Sequence, residues 1–238
     1  MKSTIEMFVI AARDGNNAKD FYESLFNWKI IDVGPLLQIS GAGINGHILK
    51  WPHQNHPTHV SIYMNVDNIQ ESLEKVEETG GTVILPEMAV PTGGSIAQLV
   101  DPDGNILGIY KGSGHKYKEH NEEIAFHQIG FFEIATREGH RSQQFYESVF
   151  NWKITDDGPV MSISNENAGL NGHLFNWTHE ELTYLTLYIK VDTIPDYLEK
   201  VTQLGGKVIV PETPIPEFGT FAQLQDLDGN VMGIYSGR

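Results

Sequence analysis

Two Asn-Gly-His triplets, Asn45-Gly46-His47 and Asn171-Gly172-His173, carry the most suggestive chemistry in the chain. In each, Asn and His alternate with apolar residues (Ile44 and Ile48, Leu170 and Leu174), as on a strand with its polar groups on one face. An imidazole there can exchange a proton near neutral pH or ligate a metal, and the amide can orient a ligand. The same pair also suits a plain hydrogen-bonded strand, because duplication copies structural residues as readily as functional ones. Trp51 and Trp177 follow the triplets, and Tyr63 and Tyr188 sit on strands expected to face them. Such rings stack on planar ligands or simply fill a core. Gln98 and Gln223 flank the same face and are candidates to hydrogen-bond a ligand. His53, His56 and His59 have the spacing of a metal cluster, but Pro52 to Pro57 reads as a loop. Its partner region, Thr178-His179-Glu180-Glu181, keeps one histidine, so loop polarity is the better reading.

The totals remove several chemistries. With no cysteine, the chain has neither disulfides, nor thiolate metal sites, nor a cysteine nucleophile. Sixteen basic against 31 acidic residues give a net charge of −15, which argues against nucleic acid or an anionic membrane surface as partner. The charge sets only a mild bias against strongly anionic small molecules. Glu6, Arg13 and Asp14 interrupt any leader-like apolar run, and no stretch has the length of a membrane span, so a cytoplasmic protein is expected.

The elements that must position these residues occur twice. Phe21-Tyr22-Glu23-Ser24-Leu25-Phe26-Asn27-Trp28-Lys29-Ile30 returns 124 positions later as Phe145 to Ile154, identical at nine of ten positions. Gln98-Leu99-Val100-Asp101-Pro102-Asp103-Gly104-Asn105 returns as Gln223 to Asn230, 125 positions on. The chain is a tandem duplication. We expect one domain over 1–114, an exposed linker over 115–126 and a second domain over 127–238.

Within one copy, Ile5 to Ala11 reads as a buried strand and Ala18, Phe21, Tyr22, Leu25 and Phe26 as the apolar stripe of a helix. Runs broken by Gly34-Pro35 and Gly41-Ala42-Gly43 then predict a three-stranded meander. The order repeats from Val60. Asp67, with Gln70 three residues on, predicts a capped helix closed by Gly80-Gly81 and braced by Glu71 and Lys75. Strands follow over Val83–Leu85, Ser95–Val100 and Ile106–Tyr110, the last two joined by Asp103-Gly104. Each copy is therefore two βαβββ modules. The fold class is α+β, with two tandem domains of curved sheets, helices outside and a concave inner face.

The doubled βαβββ order, the Phe-Tyr of the first helix, the Gly-Gly after the second and the closing Asp-Pro-Asp-Gly-Asn together resemble the glyoxalase/bleomycin-resistance/extradiol-dioxygenase (vicinal oxygen chelate) superfamily. The resemblance covers both copies nearly end to end, and the tandem form is similar to two-domain glyoxalase-like proteins. It implies metal ligands on the first, fourth, fifth and eighth strands. Met7 or Phe8, and Phe131 or Phe132, stand at the first-strand position, Ser61 and Thr186 at the fifth, and Gly108 and Gly233 at the eighth. None of these suits a divalent metal. Glu6 and Glu133 lie nearby but do not correspond between copies, and His59 is matched by Tyr184. That leaves His47 and His173 as weak candidate ligands, one imidazole per copy where at least three ligands are needed.

The resemblance thus implies a small-molecule-binding protein of the bleomycin-resistance kind, with no cofactor. The alternative is a metal-dependent lyase, isomerase or dioxygenase acting on a vicinal oxygen substrate, with lactoylglutathione-lyase-like or dioxygenase-like activity and a divalent metal. The ligand-binding candidates are Asn45, His47, Trp51, Tyr63 and Gln98 with Asn171, His173, Trp177, Tyr188 and Gln223. Two copies in one chain offer internally the pairing that single-domain relatives reach by dimerising, and further dimerisation is left open.

Overall fold

The computed structural model describes residues 3–51, 58–90, 93–112, 124–158, 160–176, 184–216 and 218–237. The expected order appears in full. The first copy runs β1 (Ile5–Ala12), α1 (Gly15–Phe26), β2 (Lys29–Asp32), β3 (Leu36–Ser40) and β4 (Asn45–Lys50), then β5 (Val60–Asn65), α2 (Ile69–Glu78), β6 (Thr82–Ala89), β7 (Ser95–Val100) and β8 (Ile106–Lys111). The second runs β9 (Ile129–Thr136), α3 (Gly139–Phe150), β10 (Ile154–Asp156), β11 (Met161–Ile163), a four-residue α4 (Asn165–Ala168) and β12 (Asn171–Asn176). It ends with β13 (Leu185–Lys190), α5 (Ile194–Gln203), β14 (Lys207–Ile215), β15 (Gly219–Gln225) and β16 (Val231–Gly237). The two sheets have matching orders, β2-β3-β4-β1-β5-β8-β7-β6 and β10-β11-β12-β9-β13-β16-β15-β14. Most of the expected linker lies outside the described residues.

Local chemistry explains the helix ends. Asp14 caps α1 by accepting from the backbone N–H of Asn16 and Asn17, at 2.9 and 3.1 Å. Asn27 and Asn151 take the left-handed conformation (φ 55° and 54°) that ends α1 and α3, a geometry Asn tolerates better than most residues. The expected cap of α2 is corrected by one residue. Asn68, in extended backbone, accepts from the Glu71 N–H, so Asn68 is the cap and Asp67 precedes it. Glu71 and Lys75 pair at 2.9 Å as expected, and Gly80 (φ 88°) closes the helix.

The chain packs as two compact units that cut across the sequence repeat. One comprises Met1–Met7, Ser61–Asn121 and Phe132–Leu185; the other comprises Phe8–Val60, Glu122–Phe131 and Thr186–Arg238. Each unit therefore joins a module of one copy to the opposite module of the other. In the first unit, Tyr146 of α3 donates to Asp101 at 2.8 Å, and Asn105 ties Asp101 to the Ala135 carbonyl. In the second, Tyr22 of α1 donates to Asp226 at 2.8 Å, and Asn230 ties Asp226 to the Ala11 carbonyl. Trp152 donates to the Ser3 carbonyl in the first and Trp28 to the His127 carbonyl in the second. The repeated Phe-Tyr and Asp-x-Asp-Gly-Asn segments are thus the two halves of a clasp. Phe145, Tyr146 and Phe150 are buried beside the clasp of the first unit, and Phe21, Tyr22 and Phe26 beside that of the second. No described helix is long and apolar enough to cross a membrane.

Candidate functional site

The glycine of each Asn-Gly-His triplet is explained by packing. A Cβ on Gly46 would collide with the ring of Phe8, and one on Gly172 with the ring of Phe132. Those rings are fully buried, so the Gly46 face of β4 and the Gly172 face of β12 look into the core. Alternation then turns Asn45 and His47, and Asn171 and His173, to the other face. Both asparagines are exposed there and both histidines are half-buried. Across the strands, Gln38 pairs with His47 and Ser162 with His173. Burial pushes both imidazoles below the ordinary histidine value, and the Asp157 charge partly opposes this at His173. Each ring is neutral at neutral pH, able to donate through one nitrogen and accept through the other.

A second constellation sits on β5, β7 and β8 and recurs on β13, β15 and β16. Gln98 donates to the Tyr63 hydroxyl at 2.7 Å, and Gln223 to the Tyr188 hydroxyl at 2.8 Å. The structure thus brings together residues that the sequence offered separately. Tyr63 lies opposite Gly108 and Tyr188 opposite Gly233 in parallel register. A Cβ on either glycine would fall inside the facing ring. Both tyrosines are nearly inaccessible, 5% and 2% exposed. Burial raises the Tyr63 pKa, the Gln98 hydrogen bond opposing it, so the phenol stays protonated.

The remaining sequence candidates separate. Trp51 lies one residue beyond β4 and is half-buried; Trp177, His53, His56 and His179 lie outside the described residues. At the fifth-strand positions Thr186 donates to the Val231 carbonyl at 3.1 Å. Ser61 Oγ is buried and has no hydrogen-bond partner among the described residues. Sequence reasoning noted Tyr184 and Glu133 separately and did not pair them; the Tyr184 hydroxyl donates to the Glu133 carboxylate at 2.9 Å. Position-by-position comparison of the copies, with His59 opposite Tyr184 and Val9 opposite Glu133, held the signal for that pair.

The family model of the Glyoxalase/Bleomycin resistance protein/Dioxygenase superfamily matches residues 4–109 and 128–234. The chain belongs to this superfamily. Its curated relatives include the putative glyoxylase CFP32 of Mycobacterium bovis and of Mycobacterium tuberculosis. Each is 25% identical over 244 residues, covering 93% of this chain and 90% of that protein. Among solved structures, the Mn(II)-bound glyoxalase from Novosphingobium aromaticivorans has a TM-score of 0.68 at 14% identity, over 99% of this chain and 82% of that one. The 2,3-dioxygenase LapB from Pseudomonas sp. KL28 has a TM-score of 0.64 at 11% identity, over 99% and 92%. A catechol 2,3-dioxygenase has a TM-score of 0.63 at 12% identity, over 99% and 88%. At these identities the likeness is one of fold.

At the strand positions where the superfamily resemblance implies metal ligands stand Met7 or Phe8 and Phe131 or Phe132, Ser61 and Thr186, and Gly108 and Gly233. Among the described residues no three His, Asp or Glu side chains converge to hold a metal ion. The eighth-strand positions, Gly108 and Gly233, lack a side chain and are covered by tyrosine rings.

Proposed function

We propose that the chain is a small-molecule-binding protein of the glyoxalase/bleomycin-resistance kind that works without the superfamily's usual metal centre. The observation that carries this reading is the ring of Tyr63 over Gly108, repeated by Tyr188 over Gly233. An acidic ligand at either glycine would have to displace a buried tyrosine and break its hydrogen bond to Gln98 or Gln223. In this reading the candidate groups are neutral: the Tyr63–Gln98 and Tyr188–Gln223 pairs and the uncharged imidazoles of His47 and His173. Such a set binds by hydrogen bonds and ring contact and suits an uncharged ligand, since burying an unpaired charge against it is costly.

The repeats, residues 1–114 and 127–238 joined by 115–126, are taken as the functional domains. In this reading His47 and His173 supply one donor and one acceptor each, with Asn45 and Asn171 at the same strand ends. Ser61 offers a buried hydroxyl that a ligand atom would satisfy. A second reading, a metal-dependent lyase or dioxygenase built around His47 and His173, draws on the fold shared with the Mn(II)-bound glyoxalase.

The test is metal content and ligand response together. Protein purified from medium supplemented with Mn, Fe, Ni and Zn is expected to hold little metal after a chelator wash. Its thermal stabilisation by small ligands is expected to survive that wash. Metal near one or two equivalents per chain, lost in the His47→Ala/His173→Ala variant, would overturn the first reading and establish the second.

A further inference from the structure

Four aromatic side chains of the second copy meet on one face of β9, β13, β15 and β16. The Phe131 ring stacks on Tyr188 with centroids 4.4 Å apart and planes 12° from parallel, and Tyr235 meets Phe131 at 5.1 Å and 55°. Phe221 lies 6.3 Å from Tyr188 and directly across from Tyr235 in the β15–β16 pairing. Two glycines make room for the rings, because a Cβ on Gly233 would collide with Tyr188 and one on Gly130 with Tyr235. Tyr188 is buried, whereas Phe131, Phe221 and Tyr235 are each half-buried and present part of their surface. Burial pushes the Tyr235 pKa up to about 12, so no side chain of the cluster carries charge at neutral pH.

The first copy keeps the frame and only two of the four rings. Tyr63, Gln98, Gly108 and Tyr110 repeat Tyr188, Gln223, Gly233 and Tyr235, but Met7 and Ile96 stand where Phe131 and Phe221 are, and Glu6 where Gly130 is. The two faces differ at these three positions, and the second copy's is the more aromatic.

We propose that Phe131, Phe221 and Tyr235 form a stacking subsite, confined to the second copy, for a flat and uncharged aromatic ligand. It rests on the small-molecule-binding reading above and adds the ligand's class and the copy that takes it. The chemistry follows from the rings: offset and edge-to-face contacts favour another aromatic plane, and none of the four rings offers an ionic group a partner, although Lys190 sits opposite Tyr235 and Glu133 two residues beyond Phe131.

The experiment titrates the full chain with 2-naphthol, a neutral and fluorescent fused-ring phenol. We expect saturation at one equivalent per chain. The Phe131→Met/Phe221→Ile variant, which carries the first copy's residues, is expected to bind roughly tenfold more weakly, as the loss of two ring contacts implies. Nuclear Overhauser contacts from naphthol protons to Phe131 and Phe221 in the unaltered protein check the site independently of how the variant folds. Two equivalents of similar affinity, or unchanged affinity in a folded variant, would overturn the proposal and leave the wider binding reading standing. So would a melting point raised by other small molecules and unmoved by 2-naphthol. If no small molecule raises it, both fall.

Discussion

The two clasps share one half and differ in the other. Around Asp101 and Asp226 they match: each carboxylate accepts two backbone N–H groups, an Asn side chain and a Tyr hydroxyl. Two residues on, they part. Asp103 accepts from the hydroxyls of Thr136 and Ser142, both at 2.7 Å, and from Arg141 at 2.7 Å. Asp228 accepts from the backbone N–H of Arg13 at 3.1 Å, and Ala12, Ala18 and Asn17 stand where the other copy has Thr136, Ser142 and Arg141. Burial raises both carboxyls. At Asp103 the two hydroxyls, the Arg137 backbone N–H (the counterpart of Arg13) and the Arg141 charge reverse the shift and hold it below the usual range. At Asp228 the neighbouring Asp226 adds to burial and the pKa stays raised. The same turn is thus a well-supplied anion site in one unit and a poorly supplied one in the other.

Removing the shared half should do the most damage and erase the difference. Asp101→Ala and Asp226→Ala each strand several buried donors, and each is expected to cost about 3 kcal/mol or more, measured by urea unfolding. A large inequality between them would show that the clasps differ in more than their second aspartate.

The second pair of variants separates the units. Asp103→Asn leaves buried hydroxyls and a cation short of an acceptor and should cost about 1–3 kcal/mol at neutral pH. Asp228→Asn should be neutral or stabilising. The signs follow from linkage. The lowered folded pKa of Asp103 gives stability that is complete above the unfolded value of about 3.9 and lost as pH falls through the folded one. The raised folded pKa of Asp228 means that its ionisation costs stability as pH climbs from about 3.9 through the folded value. Equal effects of the two Asn variants would refute the asymmetry. A smaller effect comes from making one unit like the other. Thr136→Ala/Ser142→Ala should cost about 1–2 kcal/mol and move the Asp103 carboxyl upward, read from its carbonyl carbon chemical shift against pH.

Little of this clasp was legible in the sequence, although the elements that form it were. The period of Phe21, Tyr22, Leu25 and Phe26 marks a helix, and Asp103-Gly104 marks a turn, because both signals are local. That Tyr22 meets Asp226 is a contact across 204 residues and leaves no local trace. The cap of α2 slipped by one residue because Asp67 and Asn68 are both good caps and only backbone geometry chooses between them. At the candidate site, Tyr63 and Gln98 were both visible, but their hydrogen bond depends on parallel pairing of β5 with β8, which no spacing encodes. Phe131 was weighed only as a position that cannot hold a metal and Phe221 not at all, because each looks like one more apolar strand residue until Met7 and Ile96 are set beside them.

The smallest expected effect carries the comparison to the two imidazoles. Both folded pKa values are lowered by burial, so below about 6.5 the unfolded chain binds protons that the folded one resists. Their contribution to stability is complete above that pH and fades as pH falls. Asp157 partly offsets burial at His173, and no such charge opposes it at His47; with the two half-buried rings desolvated to a comparable degree, His47 should carry the steeper dependence. Melting temperatures of the His47→Gln and His173→Gln variants, taken at about pH 5 and about pH 7.5, measure this against the parent chain. His47→Gln should remove more of the acid destabilisation, by less than about 1 kcal/mol, and His173→Gln less. The reverse order would mean that Asp157 does not act on His173 in solution, and that the two triplets are more alike than their surroundings suggest.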